Sequence, residues 1–216
     1  MAKKDKAARK SRTPKNDRQI PISRIRPVQF LTPRYYLQNA REYPIFGCWV
    51  HQGWREAGIT PVIIARQQSS DKVIFCNCMV DLNCLGVKDA FANADYSLKR
   101  FKQELAHMCV ESPEECSPEF AHELIYGAIE FAARYGFQPS PDFKKQMADL
   151  VLAPPDAYPR KNKIKFGRKG KPFFVSGPYD DERKIRRIID TLISTAGEGK
   201  FDYLVSVSPV EPPDLE

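Results

Sequence analysis

Three of the chain's six cysteines fall within the ten residues FCNCMVDLNC, Phe75 to Cys84. On a loop, that density would suit a thiolate metal centre. Strand alternation argues otherwise, because from residue 73 to 82 Ile74, Cys76, Cys78, Val80 and Leu82 share one face while Phe75, Asn77, Met79 and Asp81 share the other. Among aliphatic neighbours a reduced cysteine behaves as a small hydrophobe. A second run, HMCVESPEECSPEFAH, carries His107, Cys109, Cys116 and His122, all competent zinc ligands. If the preceding helix continues through Cys109, however, positions two apart point about 200° apart and cannot close on one ion. The run also lacks the paired short spacing of a zinc knuckle. His122 lies at the border of a helical apolar face, where a structural histidine is the expected role. Neither metal nor cofactor is expected.

Other combinations carry less chemistry. Gly167, Gly170 and Lys171 resemble a phosphate loop only superficially, since Pro172 replaces the Ser or Thr. Glu182 and Lys184 have a nuclease-like spacing but fall in a helix's first turn, where an acid is favoured anyway. The best polar constellation is Asp81, Lys88 and Asp89 in VDLNCLGVKDAF, where an acid, a base and a cation could assemble a site of hydrolase or nuclease type. The plainer reading is a salt-bridged connection from strand to helix.

Charge is the strongest signal. Residues 1 to 34 hold eleven Lys or Arg against Asp5 and Asp17, a net of +9 in a chain of +7, so the remainder sums to −2. From Arg160 to Lys171 there are seven basic residues and no acid. On an exposed hairpin arm, Lys161, Lys163, Lys165, Arg168, Lys169 and Lys171 would neutralise phosphates, with Arg183 and Arg187 of a following helix extending the surface. Phe166, Phe173 and Phe174 are interleaved, some of them necessarily core.

These residues need elements to position them. Residues 1–28 read as a basic disordered tail, 29–208 as a single domain and 209–216 as a loose, acidic, Pro-rich terminus. Thr32 and Pro33 start a helix to about Arg41. PVIIARQQSSDKVIFCNCMVDL reads as a hairpin. Asp95 caps a helix bearing Leu98, Phe101, Leu105 and Met108. Ser117, Pro118 and Glu119 open another, which ends at Gly136. A short helix is expected at 140–149, a second hairpin at KIKFGRKGKPFFV, and a last helix from Ile185 to Gly197 leading into FDYLVSV. Hairpins mixed with helices predict an α+β domain with a largely antiparallel sheet.

At VDLNCLGVKDAF, ELIYGAIEFAARYGFQP and FGRKGKPFFVSGP the chain resembles a group of small bacterial proteins over most of residues 45–205. The resemblance implies no activity, cofactor or site residue. No apolar run is long enough to span a bilayer, and no apolar stretch follows the basic N-terminus, so a cytoplasmic location is expected. The expected function is non-enzymatic binding of RNA or DNA backbone through tail and arm. The alternatives are an enzyme centred on Asp81, Lys88 and Asp89, or a protein-interaction module of a toxin-antitoxin or defence system.

Overall fold

A computed structural model describes residues 32–110, 112–148, 150–162 and 164–205. The expected basic tail, the acidic terminus and Lys163 lie outside the described residues. Thr32 caps helix α1 (Pro33–Gln38), its Oγ1 accepting the Tyr35 N–H at 3.3 Å. This helix stops three residues earlier than expected, because Asn39 turns the chain into a single 3₁₀ turn at Ala40–Glu42.

Five strands follow: β1 (Ile45–His51), β2 (Ile59–Gln67), β3 (Lys72–Asp81), β4 (Gly86–Ser97) and β5 (Pro113–Cys116). They form one antiparallel sheet in the order β4-β3-β2-β1-β5. The expected hairpin is β2 and β3, with Ile64 opposite Cys76 and Val62 opposite Cys78. A four-residue helix, α2 (Trp54–Ala57), joins β1 to β2 and ends at Gly58, whose φ of 67° favours a residue without Cβ.

The connection expected after Asp81 is instead the long edge strand β4. Its Ala90, Ala92 and Ala94 face the core, and Lys88 is the unpaired residue of a β-bulge between Val87 and Asp89. Asp95 is correspondingly not a helix cap. It stands at φ 59° and pairs with Lys72, while the cap of α3 (Leu98–Met108) is Ser97.

Each face of the sheet buries its own cluster. Helix α3 covers Ile63, Ala65, Val73 and Phe75 with Phe101, together with Cys109 just beyond the helix. Helix α4 (Pro118–Ala133) covers Val62, Ile64, Ile74, Cys76, Cys78 and Val80 on the other face. Ten residues of α4 are buried, from Ala121 to Ala132, on all sides of the helix. It lies between the sheet and the chain that returns over it, and an all-round apolar helix requires such double cover. The expected short helix is one π-helical turn at Phe143–Met147, whose Phe143 and Met147 join this cluster.

The second hairpin does not form. Strand β6 (Phe173–Val175) pairs parallel with β7 (Asp202–Leu204), joined by helix α5 (Glu182–Ala196). Only a tight turn bridging Arg168 and Lys171 remains of it. Ile188 and Leu192 of α5 pack on Phe174 and Cys84 in a third cluster. The protein is therefore a single α+β domain with a largely antiparallel sheet. Among the described residues, no helix is long and apolar enough to cross a membrane.

Candidate functional site

The basic segment lies along α4 and is tied to it by specific contacts. Glu123 is buried in the middle of the helix, and its Oε2 accepts the N–H groups of Lys161 and Asn162, both at 3.0 Å, and the Asn162 side-chain amide at 2.9 Å. Burial pushes this carboxyl up, but the bonds from Asn162, Lys161 and Ile164 outweigh it and hold the group below its ordinary value of 4.5. One turn along, Gly127 leaves a notch for the Phe166 ring; a Cβ there would lie 2.6 Å from Phe166 Cε2. Phe166 in turn stacks on Phe131. The Gly167 N–H donates to Leu82 O at 2.9 Å and the Phe173 N–H to Asn83 O at 3.0 Å, docking the segment on the β3–β4 turn.

This backbone displays Lys161, Lys165, Arg168, Lys169 and Lys171 to solvent. None of these five is ion-paired among the described residues. Arg160 differs, because both its terminal nitrogens donate to the Glu130 carboxylate, which that pairing holds at lowered pKa. Arg183 and Arg187 are exposed on α5, on the side away from Ile188 and Leu192. With Arg186 and Asp190 they line a shallow surface that shares no residue with the pocket beside the arm.

That pocket has a volume of about 770 Å³. Its walls come from α2, the β3–β4 turn, the start of α4, the arm and β6. Arg55 lies over the Trp54 ring with Cζ 4.2 Å from the centroid, and Arg168 lies over Phe173 at 4.8 Å. Trp54 itself is buried against Phe120. Neither Trp54 nor Arg55 stood out in the sequence, since a lone Trp-Arg pair has no periodic signature. Glu123 was legible only as an acid inside the apolar run FAHELIYG.

Asp81, Lys88 and Asp89 each engage a different set of partners. Asp81 is buried and caps its turn, Oδ1 accepting the Asn83 and Cys84 N–H groups at 2.8 and 3.0 Å and Oδ2 that of Leu85 at 3.1 Å. Burial raises its pKa against those bonds and the Lys88 charge. The Lys88 ammonium lies 3.8 Å from Asp180, a carboxylate that also takes Lys184 at 2.6 Å and the Gly177 N–H at 2.7 Å. Asp89 is exposed, opposite Met79, with Oδ1 on the Ala90 N–H.

Cys76 and Cys78 are fully buried among aliphatic residues, and all six cysteines are free thiols. Burial raises the Cys48, Cys84 and Cys116 thiols, so thiolate is scarce at neutral pH. His122 is buried with Nε2 2.8 Å from Pro154 O; a carbonyl only accepts, so Nε2 carries the proton. Its ring packs on Tyr126 and Tyr158. Among the described residues, no group of three or more His, Cys, Asp or Glu could hold a metal. Comparison with known protein families, curated proteins and solved structures finds no match to this chain.

Proposed function

We propose that this protein binds the phosphate backbone of RNA or DNA, without catalysis, through the arm at residues 161–171. The observation that supports this reading is five exposed cations, unpaired among the described residues and held on an anchored backbone: Lys161, Lys165, Arg168, Lys169 and Lys171. Each cation that neutralises a phosphate releases condensed counterions, and that release drives association. Anchoring by Glu123 and Phe166 lowers the entropy lost when the cations meet a ligand. Arg160 is excluded from this set by Glu130. Lys163 belongs to the same basic run, and the tail at 1–28 supplies a second anchor. Arg183 and Arg187 form a separate basic surface for longer ligands.

Phosphate contacts position a protein without reading bases, so sequence preference is slight. The test is binding of labelled RNA and DNA at several salt concentrations. A chain lacking residues 1–28 retains binding with a shallower salt slope. Further replacement of Lys165, Arg168, Lys169 and Lys171 by Gln removes the remaining affinity while the circular dichroism is unchanged. Undiminished binding after both alterations, or no binding by the intact protein at low salt, refutes the proposal.

A further inference from the structure

Charge alone does not explain the walls of the pocket beside the arm. Arg55 and Arg168 each place the guanidinium carbon over an aromatic ring, 4.2 Å from the Trp54 centroid and 4.8 Å from that of Phe173. A guanidinium held over a ring on one side keeps its outward side and N–H groups for a ligand, and both side chains are exposed. Neither is paired with an acid among the described residues. Lys165 lines the same pocket, and Glu56 is its one described acidic lining residue. The Asn83 amide lines it too, and no hydrogen bond from that side chain to the described protein is present. The volume of about 770 Å³ is within the range of small-molecule sites. The arginine surface of α5 differs, because its lining of Arg183, Arg186, Arg187, Asp190, Thr191 and Ser194 contains no aromatic ring.

From this geometry we infer that the pocket takes an unpaired nucleotide, so that the ligand class is single-stranded rather than duplex nucleic acid. A base inside a duplex has both faces stacked and its pairing edge engaged, and it cannot enter. An unpaired base has a free face for a guanidinium plane and a free edge for the Asn83 amide. Its phosphate meets Lys165 and the N–H edges of Arg55 and Arg168, a geometry that suits arginine. The inference rests on the reading that the arm binds nucleic acid, and it narrows that reading to one class of ligand.

The experiment uses the full chain and fluorescein-labelled oligo(U) and oligo(dT) of about twelve nucleotides, with RNA and DNA hairpin duplexes of equal phosphate number. Electrostatics alone favours the duplex, where charge density is higher. The expected result is the reverse, with a single strand bound about tenfold more tightly than its duplex. Arg55→Lys and Arg168→Lys keep the charge and lose the plane. Each is expected to weaken single-strand binding about tenfold with the thermal midpoint unchanged. In a Trp49→Phe background Trp54 is the one remaining tryptophan, and its emission shifts on adding oligo(U) or oligo(dT). Duplex binding equal to or tighter than single-strand binding, or full single-strand affinity in both lysine variants, overturns the pocket's role and leaves backbone binding standing. Absence of binding to every probe at low salt removes both.

Discussion

Removing the Glu123 carboxylate releases the basic arm without touching any of its cations. Three donors converge on Oε2: the Lys161 and Asn162 backbone N–H groups and the Asn162 side-chain amide. At about 1.5 kcal/mol each, the lower end for bonds to a charged group, they sum to about 4.5 kcal/mol. Lys161 and Asn162 are exposed, so water replaces part of that loss. The expected cost is about 2–3 kcal/mol for Glu123→Ala and about 1–2 kcal/mol for Glu123→Gln, which keeps one acceptor. For a domain of this size the alanine variant melts about 5–10 °C lower. Limited trypsin digestion reads the local effect, because Lys161, Lys165 and Arg168 lie in the released segment and are cut faster than in the parent. The pH dependence has a definite sign. The folded carboxyl is held below its ordinary 4.5, so its stabilisation is complete above that value and is lost as pH falls through the lowered folded value. Anchoring is thus constant from pH 5 to 8 and fails in stronger acid. An unchanged melting temperature together with unchanged cleavage in Glu123→Ala would refute the claim that this residue holds the arm.

Two further substitutions probe the supports around it. Gly127→Ala places a Cβ against the Phe166 ring and should cost about 1–3 kcal/mol by overpacking, with faster trypsin cleavage at Lys165; a variant as stable as the parent would show that the notch is not needed. Ser117→Ala removes the Oγ that accepts the Phe120 N–H at 3.1 Å and should lower stability by about 1 kcal/mol in urea titration, with nucleic-acid binding intact.

Local patterns were readable where one element determined its own residues. The β2–β3 hairpin followed from two apolar runs, and α4 from Ser117-Pro118 with helical spacing behind it. Strand β4 was hidden because its inward face carries Ala90, Ala92 and Ala94, small residues of low strand propensity, and because the bulge at Lys88 breaks the alternation. The alanines face the cluster beneath α4, where the helix contacts the sheet. The segment KIKFGRKGKPFFV has turn glycines and apolar flanks, yet Phe173–Val175 finds its partner at Asp202–Leu204, beyond a whole helix. No local rule reports a partner so distant. The candidate site divides in the same way: its charge is written in one run of residues, whereas Glu123, Gly127, Trp54 and Arg55, which shape it, come from elsewhere in the chain.

The parallel pairing of β6 with β7 also sets the order in which the protein can be completed. Synthesis proceeds from the N-terminus, so the partners of each contact become available in chain order. The sheet, α3 and α4 are all encoded before residue 134, so their mutual contacts have their partners before the segment that covers the outer side of α4 is made. Phe173 and Val175, which form one wall of the pocket, gain their strand neighbour only when Asp202–Leu204 follows. The nascent chain therefore acquires the sheet and its two covering helices before the pocket beside the arm is walled. If the pocket takes a base as inferred, that capture waits until Asp202–Leu204 has been made.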